Sequence, residues 1–252
     1  MRVPVECVPD PDVPGCGNVF VSVEVDDRIV RAAFDTGASR TLLIDLPSSA
    51  RPVGDRETSG LFGTGVVTEW EVSDIRIGLL RAGPLTVHRI DGGAGRHPVV
   101  GLDVLGTGSW QLDLASRTLV TGAPSPRGSA LRRTTNGHIL TEMSWPTATA
   151  TALWDTGAGI TLIDRRFADA HPNLFEHAGS ARGTDILGSQ SDLGLARVSG
   201  YEIDGTQFAG HSVAIADLPE VPDPIDAVIG FPTINQARWT VDVPAARWCI
   251  EL

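Results

Sequence analysis

The chain has 252 residues, 31 acidic and 20 basic, for a formal charge of −11, and its 42% apolar and 20% charged content is that of a globular chain with a buried core. The length suits one large or two small domains. The acidity excludes nucleic acid as an expected partner, because phosphate binding needs clustered cations, and the absence of Lys excludes Schiff-base chemistry.

In chain order, residues 1–17 contain Pro4, Pro9, Pro11 and Pro14 and no uninterrupted apolar stretch of signal-peptide length. No span of about 20 apolar residues occurs, so no membrane helix and no membrane partner is expected, and the simplest location is cytoplasmic. Residues 18–25 and 29–34 read as strands joined by a hairpin turn at Val25-Asp26-Asp27-Arg28. Further strands are predicted over 66–77, 85–90, 111–120, 139–143, 148–154, 193–203, 212–216 and 239–250. One helix is predicted, over 165–170, with Asp164 as its N-cap. The 28 Gly and 17 Pro imply many turns, which favours an all-β chain of short strands. Cys7, Cys16 and Cys249 are an odd number without a Cys-x-x-Cys pair, which fits reduced thiols better than disulfides or zinc. A Cys7–Cys16 bridge stays open should the protein be exported. Arg, Ala, Gly and Val abundance without Lys is the composition of a G+C-rich bacterial genome.

The most informative feature is an internal repeat. Phe34-Asp35-Thr36-Gly37-Ala38-Ser39-Arg40-Thr41-Leu42-Leu43-Ile44-Asp45 returns as Trp154-Asp155-Thr156-Gly157-Ala158-Gly159-Ile160-Thr161-Leu162-Ile163-Asp164, an offset of 120. Val99-Val100-Gly101-Leu102 matches Val228-Ile229-Gly230-Phe231, and Trp110-Gln111-Leu112-Asp113 matches Trp239-Thr240-Val241-Asp242, both at an offset of 129. The expected organisation is an N-terminal extension over 1–17 that can act as an inter-lobe strand, then a lobe over 18–123. A linker over 124–136 and a second lobe over 137–252 complete it.

An Asp-Thr-Gly at the end of an apolar strand carries a carboxylate to the edge of a buried sheet, where Gly allows a tight turn and lets backbone N–H groups approach the acid. One buried carboxylate is costly. Two of them, one from each half, can meet on an approximate twofold axis and share a proton, since adjacent like charges do not both ionise cheaply. The pair then supplies a base to activate a water and an acid to protonate the atom under attack, with no cofactor and no metal. One copy alone would supply half a site.

On these motifs the chain, from about Asn18 to Leu252, resembles the pepsin-like and retropepsin-like aspartic proteases. The resemblance implies a bilobal pepsin-like all-β fold of two pseudo-twofold-related lobes. It makes Asp35 and Asp155 the catalytic dyad, with Thr36 and Thr156 exchanging hydrogen bonds across it and Gly37 and Gly157 presenting N–H groups. Leu61-Phe62-Gly63-Thr64-Gly65-Val66-Val67-Thr68 is similar to the pepsin flap, with Phe62 where pepsins usually carry Tyr. Thr184-Asp185-Ile186-Leu187-Gly188-Ser189-Gln190 is a second flap-like stretch where pepsins generally have none, so the two halves look like a retroviral dimer fused into one chain. Leu61, Phe62, Gly63, Thr64, Ile186, Leu187 and Gly188 are thus the expected substrate-binding tips. Ala38 and Ala158 stand where pepsins carry Ser or Thr. Without a hydroxyl to stabilise the carboxylate, the dyad is expected to titrate higher and to work nearer neutral pH.

Trp110 and Trp239 read as packing residues and Cys249 as an inert core thiol. His88, His97, His138, His171, His177 and His211 show no metal-ligand spacing, and no Gly-x-Ser-x-Gly or complete Gly-x-Gly-x-x-Gly occurs. The loops 91–95 and 218–224 read as surface connections near the active face. The resulting expectation is a monomeric aspartic endopeptidase acting on a peptide or protein. Two alternatives stand beside it. In one, the same dyad performs acid–base chemistry on a small metabolite, by dehydration, isomerisation or cyclisation. In the other, the scaffold is a non-catalytic binding or inhibitory protein.

Overall fold

Period-two alternation builds the first lobe. In the strand Gly17–Val25 the inward residues Val19, Val21, Val23 and Val25 are buried. The chain reverses at Asp26, which takes the left-handed conformation (φ 49°) that a two-residue hairpin requires, and returns as Arg28–Phe34 with Val25 opposite Arg28. The computed structural model describes residues 1–92, 96–219 and 224–252. Among them the strands form two sheets, one of 15 strands and one of 10, and no helix is long and apolar enough to cross a membrane.

Both halves thread their acidic loops in the same way. Arg28–Phe34 runs parallel to Val99–Val100, and Val99 pairs antiparallel with Leu42. In the second half Ala148–Trp154 runs parallel to Ala227–Ile229, and Leu162 pairs antiparallel with Val228. Each apolar-apolar-Gly segment passes directly behind an Asp-Thr-Gly loop. Leu102 N donates to Ala38 O (2.8 Å) and Phe231 N to Ala158 O (2.9 Å). A Cβ on Gly101 or Gly230 would lie 2.7 Å from Ala38 O or Ala158 O respectively, which explains both glycines.

The halves meet in one sheet. Ser109–Asp113 pairs antiparallel with Arg238–Asp242, and the repeat-equivalent residues Gln111 and Thr240 face each other at its centre, joined by a 2.9 Å side-chain hydrogen bond. Pairing an element with its own copy is what a twofold axis requires. The first residues belong to this sheet as well: in Arg2–Pro9, residues 2–4 pair with Thr118–Thr121, and 5–9 pair with Gly17–Val25. The segment between the lobes also pairs, with Ser129–Ala130 on Arg247–Glu251 and Arg132–Arg133 on Ile139–Trp145.

Several predicted strands are in fact hairpins. The 111–120 run is Ser109–Asp113 and Thr118–Thr121, and the 239–250 run is Arg238–Asp242 and Arg247–Glu251. Their turns place Arg117 and Ala246 at φ 51°, a conformation uncommon outside Gly and Asn, so no turn residue announces them. The 66–77 run divides at residues 73–74 and the 193–203 run at 199–200. The helix Arg165–Ala170 forms with Asp164 as N-cap, its side chain accepting from Arg166 N.

An aromatic column crosses from lobe to lobe beneath the two acidic loops. Phe34 meets Trp110 edge-on (5.1 Å), Trp110 stacks on Trp154 (5.9 Å), and Trp154 meets Trp239 (5.2 Å). Phe34, Trp110, Trp154 and Trp239 are completely buried. Trp110 Nε1 and Trp239 Nε1 donate to Leu105 O and Ile234 O, keeping the repeat symmetry at hydrogen-bond level. Phe34 and Trp154 immediately precede Asp35 and Asp155, so the column sets the height at which the acids emerge. Cys249 is not a core thiol: it is half-buried on the Arg247–Glu251 strand, which lies near the edge of the shared sheet. All three cysteines are free thiols, and burial pushes the Cys16 thiol up to about 11.

Candidate active site

Each parallel strand pair delivers one acid. Asp35 N donates to Val100 O (3.1 Å) and Asp155 N to Ile229 O (3.0 Å), fixing both residues at the ends of their strands. The loops then turn back on the carboxylates. Asp35 Oδ1 accepts from Gly37 N and Ala38 N, both at 2.8 Å, and Asp155 Oδ1 accepts from Gly157 N at 2.7 Å. Gly37 N also donates to Asp155 Oδ1 at 3.1 Å, so one N–H lies within reach of both acids. A Cβ on Gly37 would fall 2.6 Å from Asp155 Oδ1, and one on Gly157 would fall 2.6 Å from Asp35 Oδ1. Neither glycine has room for a side chain because the opposite carboxylate fills it.

Thr36 and Thr156 hold the loops together from below. Thr36 Oγ1 donates to Trp154 O (2.9 Å) and accepts from Thr156 N (3.1 Å). Thr156 Oγ1 donates to Phe34 O (2.6 Å) and accepts from Thr36 N (3.0 Å). All four bonds cross between the halves, and both side chains are essentially without solvent exposure. Ala38 and Ala158 contribute no hydroxyl; Ala38 acts through its N–H, and Ala158 N reaches only Asp155 O at 3.4 Å.

Burial raises the pKa of both acids. Asp35 is held well above the usual carboxylate range, next by the Asp155 charge and by the carboxyl–carboxyl hydrogen bond, against which Ala38 N and Gly37 N pull down. At Asp155 the opposing pull comes from Gly157 N, Asp35, Gly37 N and the nearby His138. The arrangement favours one proton shared by the pair over two charges.

His138 is a feature that the sequence reading passed over. Its Nε2 is buried without a hydrogen-bond partner; burial lowers its pKa while the Asp155 charge raises it. It stands 17 residues before Asp155, as Asn18 stands 17 before Asp35, so the repeat offset could have marked it as a residue near the dyad.

The expected tips sit at the ends of two long hairpins. Arg51–Ser59 with Thr64–Val72 carries Leu61, Phe62 and Gly63 at its turn, with Thr64 opening the return strand. Phe175–Thr184 with Gln190–Val198 carries Ile186, Leu187 and Gly188. The tips cross over. Leu61 and Phe62 pack on an apolar cluster of the second half that includes Leu140, Leu162, Leu193 and Val228. Ile186 and Leu187 pack on Leu42, Val67, Ile90 and Val99 of the first half. Asp185 and Arg96 join the two sides: Phe62 N donates to Asp185 Oδ2 (2.9 Å) and Arg96 Nη2 to Leu187 O (2.7 Å). Arg96 belongs to no repeated motif, and Asp185, although inside the second flap-like stretch, has Gly60 at the equivalent position, so neither was legible as a site residue. Of the two predicted surface loops, 93–95 and 220–223 lie outside the described residues. Among the described residues no group of three His, Cys, Asp or Glu side chains is placed to hold a metal ion.

No protein-family model matches the chain, and no curated protein sequence matches it. Among solved structures, an aspartic proteinase from Irpex lacteus aligns over 100% of this chain and 96% of its own, with a TM-score of 0.63 and 13% sequence identity. The likeness extends from the first lobe through the second, and it establishes that this chain has the pepsin-like aspartic proteinase fold over its whole length.

Proposed function

We propose that the protein is an aspartic endopeptidase in which Asp35 and Asp155 together activate a water for attack on a peptide bond. The observation that carries the reading is the mutual enclosure of the two acids: each loop glycine leaves room for the opposite carboxylate, and Gly37 N donates to both. In the reaction, the ionised member of the pair takes a proton from water as it attacks the scissile carbonyl carbon, while the protonated member donates to the carbonyl oxygen. The tetrahedral gem-diol then collapses as the amide nitrogen receives a proton and the C–N bond breaks. No covalent intermediate forms. An extended peptide running between dyad and hairpins could bond through its backbone as an added strand. The apolar, half-buried tips Leu61, Phe62, Ile186 and Leu187 favour apolar side chains flanking the scissile bond.

The deciding experiment is cleavage of a peptide library, with sensitivity to pepstatin, by the parent chain and by Asp35→Asn and Asp155→Asn separately. Cleavage abolished by each substitution supports the reading. Inertness toward all peptides with dyad-dependent turnover of a metabolite would replace it with small-molecule acid–base chemistry, and function surviving the double substitution would replace it with a binding role.

A further inference from the structure

We propose that Asp185 is a latch that locks the two hairpins to each other at their tips, a single carboxylate serving both. Its two oxygens face different ways. Oδ1 accepts from Leu187 N (3.0 Å) and Ser189 N (2.8 Å) and so closes the turn of its own hairpin. Oδ2 accepts from Phe62 N (2.9 Å) at the tip of the other hairpin. Such bonds to an ionised acceptor are the stronger kind.

The opposing hairpin is shaped to admit it. Gly60 holds the position equivalent to Asp185, the first residue beyond the last paired strand residue in each hairpin. A Cβ at Gly60 would lie 2.8 Å from Asp185 Cγ, so a side chain there would push the carboxylate away. The crossed packing acts with the latch, because Leu61 and Phe62 rest on the second half and Ile186 and Leu187 on the first. Arg96 is a second clasp: it donates to Leu187 O (2.7 Å) from the first half while its Nη1 holds Asp91 O (3.2 Å). The hairpins are therefore interlocked, and access for an extended substrate requires the Phe62–Asp185 bond to break and to re-form above it. Asp185 touches neither the dyad nor the reacting atoms and acts as a positioning residue.

Two substitutions cut the contact from opposite sides. Asp185→Asn keeps one carbonyl oxygen for Leu187 N and Ser189 N but turns an NH2 toward Phe62 N; Gly60→Ala inserts a methyl group against the intact carboxylate. Amide hydrogen exchange followed by NMR on the full chain reads the result. In both variants the Phe62 amide is expected to exchange roughly tenfold faster or more, while Leu187 and Ser189 keep their protection. Unchanged Phe62 exchange in Asp185→Asn overturns the latch. So does loss of protection at Leu187 and Ser189 in Asp185→Asn combined with unchanged Phe62 exchange in Gly60→Ala, because Asp185 would then only support its own turn. A kinetic measurement rests on the endopeptidase reading: because the bond must break to admit the peptide, association of a cleaved peptide should quicken in both variants with kcat retained, and unchanged association in both would count against the latch. If no peptide is turned over by any form, the endopeptidase reading fails while the exchange data still decide the latch.

Discussion

Replacing Thr36 by Val tests whether the crossed threonine bonds hold the halves together. The substitution preserves shape, so no cavity is opened, and its cost comes from what the lost hydroxyl leaves behind. Thr36 Oγ1 is the partner of both Trp154 O and Thr156 N, at 2.9 and 3.1 Å, in a site without solvent exposure. Two buried backbone groups are orphaned at about 1–3 kcal/mol each, so a loss of about 2–6 kcal/mol is expected. Against a typical total stability of about 5–15 kcal/mol, that is a large fraction. Thr156→Val orphans Phe34 O and Thr36 N in the mirror-image way and should cost a similar amount. Urea unfolding measures both, provided the slope with denaturant is unchanged. A loss below about 0.5 kcal/mol, the range of ordinary surface substitutions, would show that these bonds do not carry the junction.

Three further outcomes are expected. Asp35→Asn or Asp155→Asn should lower peptide turnover by about 10²–10⁴-fold. It should also raise the melting temperature at pH 7: the folded-state pKa values lie above the unfolded value near 3.9, so ionising the pair costs stability as pH rises through them, and the cost vanishes below about pH 4. A melting-temperature gain as large at pH 3 as at pH 7 would contradict this origin. Ala38→Ser and Ala158→Ser should each move the acidic limb of kcat/KM to lower pH, by adding a donor to the ionised carboxylate, and a parent profile whose only maximum lies below about pH 4 would refute the argument from the missing hydroxyls. Gly230→Ala should cost about 1–3 kcal/mol or more in urea unfolding, because its Cβ would fall 2.7 Å from Ala158 O with only backbone to move; an unchanged midpoint would refute that packing.

Repetition made the centre of the molecule legible. Asp35-Thr36-Gly37 and Asp155-Thr156-Gly157, with Gly101 and Gly230 behind them, recur at fixed offsets because two equivalent loops must each seat a carboxylate against the other. The hairpin arms were harder to read. Along Arg51–Ser59 every residue except Thr58 is exposed, so no alternation marks a strand whose order comes from pairing with Thr64–Val72. Two-residue strands such as Leu42–Leu43 and Val99–Val100 are too short for periodicity to reveal. The clasps formed by Asp185 and Arg96 depend on contacts between residues 123 and 91 positions apart, which local sequence does not encode.

Where the halves differ, the difference has a geometric reason, and the hairpins show it most directly. If the protein were a dimer of one repeated half, an acid at the Asp185 position would have to appear at the Gly60 position too. The space there already holds the Asp185 carboxylate, so two such acids would collide and repel at the point where one now bonds both tips. Fusing the halves lets one tip supply the acceptor and the other the vacancy. The same freedom sets His138 beside Asp155 where the first half has Asn18. It also lets the second loop be backed by Thr161, Thr233, Tyr201 and His211 where the first is backed by Thr41 and Asp103. Asp35 and Asp155 therefore occupy unequal surroundings although their loops are near copies. Burial raises the pKa of both, and the shared proton belongs to the pair rather than to either residue.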